Sequence, residues 1–227
     1  MKAIALTFGL WLGGQPATAH ADCTITMQNA TSHQFAKDQG IPVQQTSIIW
    51  FSPLQAGSLI GLEGAGKQRW YRTTLASQNP CQIASSGRIS KEEVPAPIQQ
   101  ASQFKSTIKN ALYISEADYP WAPIVSQNKV TKHPTLSESQ LALGIQSPLT
   151  STGDWPDIVQ ELDIQMSYGF DSIHYQALKA HLLQQFSKDQ IWLYKTGDGT
   201  SGERQLFLVG RRPDGYLVGL ATIAVET

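Results

Sequence analysis

The chemistry this 227-residue chain offers is a chemistry of oxygen donors. It closes on Glu226-Thr227, directly after an apolar run from Leu217 to Val225. That run predicts a core strand, so a side-chain carboxylate, a hydroxyl and the free α-carboxylate should project just past the edge of a sheet. Three hard oxygen donors in a fixed place suit an Mg²⁺-type ion or an arginine. A second acidic pair, Glu116 and Asp118, lies in LYISEADYPW, residues 112 to 121, which breaks a helical pattern. Side chains two apart in a loop diverge, so this pair does not read as a catalytic carboxylate dyad.

Other arrangements fall short of a reaction. His174 and His181 are seven apart, not the one turn that a zinc pair would use, and neither stands in an HExxH or GxSxG context. Gly61 to Lys67 spells GxxxxGK, but Gln68 occupies the place where a P-loop needs Ser or Thr for Mg²⁺. Arg69 to Thr74 then looks like a strand and not the helix whose N-terminus would face phosphates, so a glycine-rich hairpin is expected. A formal charge of −1 argues against a general nucleic-acid binder. From Glu116 to Asp171, eight acids face only Lys129 and Lys132, a net of −6, which predicts an acidic face drawn to a basic groove. The chain is expected to be no enzyme and to carry no cofactor.

The elements that must position these donors are read from hydrophobic periodicity. Leu206 to Val209 and Leu217 to Val225 are apolar at nearly every position, which predicts strands covered on both faces. Pro213-Asp214-Gly215 supplies the turn between them. Ile98, Ala101, Lys105 by its stem, Ile108, Ala111 and Leu112 recur at helical spacing, with Pro97 suited to a first turn. A second helix is expected from Ser172, burying Tyr175, Leu178, Leu182 and Phe186, with Asp171 or Ser172 as N-cap. Ile191 to Tyr194 predicts a short strand. Pro134 to Gly169, interrupted by Pro148, Gly153 and Pro156, gives no clear period.

Before the first helix, TITMQNA, QQTSIIWFSP, GSLIGL and QRWYRTTLA alternate with Gly, Pro, Asn and Ser, the pattern of a small β unit. Ser85 to Pro97 reads as a linker. Met1 to Ala21 has the form of a secretory signal, with Lys2, an apolar stretch too short to span a bilayer, and Ala19-His20-Ala21. The expected organisation is therefore residues 1–21 as signal, 22–94 as the β-rich unit and 95–227 as the C-terminal domain. Periplasmic or secreted localisation follows, without a transmembrane segment. Cys23 and Cys81 are the only cysteines, and an oxidising compartment predicts one disulfide between them. It would close a loop worth on the order of 4 kcal/mol.

LYISEADYPW after an amphipathic helix, an irregular middle, then a helix, a strand and a hairpin ending GRRPDGYLVGLATIAVET resembles the cyanobacterial nuclease A inhibitor family, over roughly Ile98 to Thr227. The resemblance is strongest in SEADYP and in the last two strands with their VET end. It implies an α+β protein whose C-terminal α/β/α sandwich is similar to the pathogenesis-related protein 1 fold, preceded here by the disulfide-tied β-rich unit. It implies a partner: an exported, sugar-nonspecific, Mg²⁺-dependent ββα-metal endonuclease, bound one-to-one, with no direct contact to nucleic acid. By resemblance, Thr227 reaches the target's catalytic metal and Glu116 engages an active-site arginine, with Glu226 and Asp118 beside them. The family's middle loop carries a tryptophan that contacts the enzyme. Trp155 lies too far upstream to match it, and Ser167-Tyr168 occupies its place. The competing reading is an exported ligand- or glycan-binding envelope module that uses Trp50, Phe51, Trp70 and Tyr71.

Overall fold

A computed structural model describes residues 34–40, 46–52, 58–64, 66–76, 79–109, 111–169, 171–197 and 202–225; within the first strands some side chains are not described. The expected signal at 1–21, the strand at 24–30, Cys23, the Cys81 side chain, Glu226 and Thr227 lie outside these residues. The chain divides into two compact units, residues 1–95 and 96–227.

The first unit holds a helical turn, α1 (residues 34–38), and a four-stranded antiparallel sheet in the order β1-β2-β3-β4: Thr46–Ser52, Ser58–Gly64, Lys67–Ala76 and Asn79–Ile89. The GxxxxGK stretch is the β2–β3 hairpin, its turn made by Gly66 at φ +72°, a conformation glycine adopts without steric cost. The linker expected from Ser85 begins later, because residues 85–89 pair with β3 as the end of β4. Polar Ser85, Ser86 and Arg88 are all exposed. A half-solvated strand of that kind has too little apolar alternation to be told from a loop. Trp50, Trp70 and Tyr71 are all buried, and Tyr71 meets Phe35 of α1 edge-on with centroids 5.0 Å apart. These rings form core, not an open ligand surface; the Phe51 side chain is not described.

The second unit runs α2 (Ala96–Ile108), β5 (Leu112–Tyr113), β6 (Tyr119–Pro120), β7 (Ala122–Val125), α3 (Leu136–Leu143), β8 (Leu149–Gly153), α4 (Trp155–Ser167), α5 (Ser172–Gln185), β9 (Ile191–Thr196), β10 (Glu203–Arg211) and β11 (Leu217–Val225). Its five-stranded sheet is antiparallel throughout, in the order β7-β11-β10-β9-β8. The two all-apolar runs are thus two of the three inner strands, β10 and β11, lying next to each other. Leu206 to Gly210 and Leu217 to Ala224 are buried at every position. Such burial on alternate sides requires cover on both faces.

That cover can be read from two consecutive residues of β9. The Tyr194 hydroxyl accepts a 2.9 Å bond from Ser139 of α3, whereas the Lys195 ammonium reaches Glu161 of α4 at 3.2 Å. Neighbouring residues of a strand point to opposite faces, so α3 and α4 lie on opposite sides of the sheet. On the α4 side the helices form one layer, with α5 packed between α2 and α4. The protein is α+β, with helices against an antiparallel sheet. Gly219 sits where β11 presses on β10: a Cβ there would run into the Leu208 carbonyl and the Val209 Cα.

Residues 134–169, which show no clear period, hold α3, β8 and α4. Pro156 does not interrupt a helix but lies in the first turn of α4, where its missing N–H costs nothing. Asp154 caps that turn and the Asp157 carboxylate accepts the Asp154 amide in return.

Candidate functional site

The loop after β5, residues 114–118, is held from both sides by backbone-directed bonds. On one side is the end of the last strand. The Glu116 amide donates to the Val225 carbonyl at 3.1 Å, and the Val225 amide donates to Ser115 Oγ at 3.1 Å. Ser115 Oγ in turn donates to the Ala117 carbonyl at 2.8 Å, closing the loop on itself. On the other side is α4. The Gln165 amide accepts from Ile114 N at 2.8 Å and donates to Ile114 O at 3.1 Å, taking both polar groups of one residue. Gln165 is buried, so its side of the bidentate bond is shielded from water.

The segment leading into the loop is pinned as firmly. Tyr113 donates its phenol proton to Glu161 at 2.6 Å, and Leu112 N donates to Asp171 Oδ2 at 3.3 Å. The Tyr175 hydroxyl donates to the Leu112 carbonyl at 2.7 Å and accepts from the Trp121 indole at 3.0 Å. Burial holds the Tyr175 phenol well above its usual range, with the indole bond opposing; the nearby carboxylates of Asp171, Glu161 and Asp118 add to the rise. It therefore stays a neutral donor at physiological pH.

The result is an exposed rim made from three places in the chain. Glu116 and Asp118 are both exposed on the loop. Val225, the last described residue, is joined to Glu116 directly, so the chain beyond it starts from the edge of that loop. Tyr168 caps the C-terminal end of α4 and is 48% exposed, three residues past the Gln165 that grips Ile114. The structure thus brings Glu116, Asp118 and the end of β11 together, with Tyr168 on the adjoining helix end. Glu226 and Thr227 lie outside the described residues.

The expected single acidic face is not what forms. Glu161 and Asp163 are paired with Lys195 and Lys179, at 3.2 and 3.1 Å. Glu138 sits on the opposite side of the sheet, accepting from Thr131 N and Thr131 Oγ1, and these bonds hold its carboxyl below the usual range. The sheet separates Glu138 from the acids of α4, while Glu116, Asp118 and Asp171 lie at the rim. His181 is spent on packing: its Nδ1 lies 2.8 Å from the Thr107 hydroxyl and its ring rests on Phe104, with burial lowering its pKa. Among the described residues no three His, Cys, Asp or Glu side chains gather as a metal-binding group.

Sequence reasoning missed the residues that do the positioning. Ser115 could have been suspected from its place beside Glu116, since serine in a tight loop bonds nearby backbone. Gln165 and Tyr175 offered no such signal, because only the fold reveals that they face Ile114 and Leu112.

The sequence profile of the nuclease A inhibitor-like proteins matches residues 99–227. The chain belongs to that family. Membership covers nearly all of the second unit, including the loop and the strand that meet at Glu116 and Val225, and it is a family of inhibitors and not of enzymes. The four-stranded first unit lies outside the matched span. No curated protein matches this nuclease A inhibitor-like chain.

Proposed function

We propose that the protein inhibits a sugar-nonspecific, Mg²⁺-dependent ββα-metal endonuclease by plugging its active site, one inhibitor per enzyme. Family membership supports a nuclease as the partner. The observation that carries the mechanism is the pair of bonds between Ser115-Glu116 and Val225. They tie an exposed carboxylate to the strand from which Glu226 and Thr227 depart.

In this reading Glu116 takes the place of a substrate phosphate against an active-site arginine. The terminal carboxylate of Thr227, with Glu226 beside it, replaces water on the target's hard cation. The metal belongs to the nuclease; this chain supplies only oxygen donors. Because Glu116 and the strand that leads to Thr227 are tied to one hydrogen-bonded rim, the Glu116 loop is pre-organised for docking, which favours tight binding. The fold is proposed to be similar to pathogenesis-related protein 1, and the protein to act in the periplasm or outside the cell after signal removal at Ala21. There a Cys23–Cys81 disulfide would tie the first unit.

The experiment is titration of mature protein against exported Mg²⁺-dependent nucleases, at several ionic strengths. One-to-one inhibition that weakens with added salt is expected, since acids meet a basic groove. No inhibition of any such nuclease would refute the proposal.

A further inference from the structure

Six large apolar side chains are exposed among the described residues: Leu112, Leu141, Ile164, Tyr168, Ile173 and Leu183. Four of them belong to segments that converge at one place. Ile164 is in the last turn of α4, Tyr168 caps that helix one turn further on, and Ile173 is in the first turn of α5. Leu112 is brought there by its amide bond to Asp171, which lies between Tyr168 and Ile173. This end of the α4–α5 hairpin is also where Gln165 holds Ile114, so the apolar group borders the rim that carries Glu116 and Asp118.

Single exposed apolar residues are ordinary, but a concentration beside charged groups marks an interaction surface. Large apolar side chains in the middle of an interface, flanked by polar groups, are where binding energy concentrates. We infer that Ile164, Ile173 and Leu112, with Tyr168, form a ledge that docks on the partner nuclease's surface next to its cationic cleft. This rests on the inhibitor reading above and adds to it a second contact, apolar in character, that selects among nucleases. The occupant is set by continuity and charge: the ledge runs into the acidic rim, with Asp171 and Asp118 at its border. A nuclease presenting an apolar wall beside its basic cleft fits both parts at once. One lacking that wall meets only the acids, which every basic groove attracts.

The test compares full-length Ile173→Asp and Ile164→Asp with Leu141→Asp, using a ββα-metal endonuclease that the wild-type protein inhibits. Ile173 and Leu141 are matched in exposure, at 72% and 75%, but Leu141 lies on α3, on the other side of the sheet. The ledge variants are expected to raise the inhibition constant at least tenfold with melting temperature unchanged, and Leu141→Asp to change neither. Ledge variants that inhibit as well as wild type would overturn the ledge and leave the inhibitor reading standing. So would an equal loss in Leu141→Asp. Failure of the wild-type protein to inhibit any such nuclease would remove both.

Discussion

Glu116 is placed by its own amide and by its neighbour, since the bonds that locate it run through Glu116 N, Ser115 Oγ and the amide and carbonyl of Val225. Its carboxylate carries the proposed charge contact. Glu116→Gln keeps the shape and removes that charge, so inhibition should weaken by about 2 kcal/mol or more, because the facing cation is left buried and uncompensated. An isothermal titration against the target reads this directly. A second residue gives a pH signature unrelated to binding. Lys105 is buried in α2 with its ammonium donating to the Lys109 carbonyl at 2.6 Å, and burial lowers its pKa from 10.5 to about 8. Between pH 8 and 10 the folded chain has released that proton while the unfolded chain still holds it, so stability should rise with pH. Above pH 10, Tyr194 opposes the rise: burial pushes its phenol up to about 12, so the unfolded chain ionises first. Denaturant midpoints from pH 7.5 to 10 should climb in the wild type and stay flatter in Lys105→Met.

At the scale of elements, α4 is the support of the site. It lays Trp155, Ile158 and Leu162 into the core and presents Gln165 one turn later to the loop. Gln165→Leu would take the Gln165 bonds from the Ile114 amide and carbonyl in a part-buried place, which costs about 1 kcal/mol or more. The loop should loosen with it, so thermal unfolding should shift down and inhibition should weaken more than in a surface control of equal stability loss. Inhibition unchanged in a destabilised Gln165→Leu would show that the loop needs no such clamp. This same helix was illegible in the sequence. Its start, Gly153-Asp154-Trp155-Pro156, looks like a break, and only the reciprocal bonding of Asp154 and Asp157 converts it into a cap. By contrast β10 and β11 announce themselves, because strands buried on both faces must be apolar throughout. The helical stripe of Tyr175, Leu178, Leu182 and Phe186 was legible for the equivalent reason: a helix packed on one side shows its period. Of the site, the acids were visible as residue types in a loop. Their meeting with Val225 was not, since it joins positions 110 residues apart.

For the molecule as a whole, the division near Pro95 separates the part that carries the rim from a four-stranded unit with its own small core. Residues 96–227 expressed alone should fold and inhibit as the full chain does. Loss of inhibition in a folded fragment would show that the first unit contributes contacts. The central claim, that the chain's last residue occupies the target's metal, has a sharper test in which every internal residue is left alone. A short C-terminal extension converts the Thr227 carboxylate to an amide and puts chain where the ion should sit. An extension at the mature N-terminus serves as control. The decisive measurement is the inhibition constant of these two proteins against the same Mg²⁺-dependent nuclease. A loss of at least tenfold, about 1.4 kcal/mol, is expected for the C-terminal extension alone, with melting temperature unchanged. Equal inhibition by the C-terminally extended and free-ended proteins would contradict it.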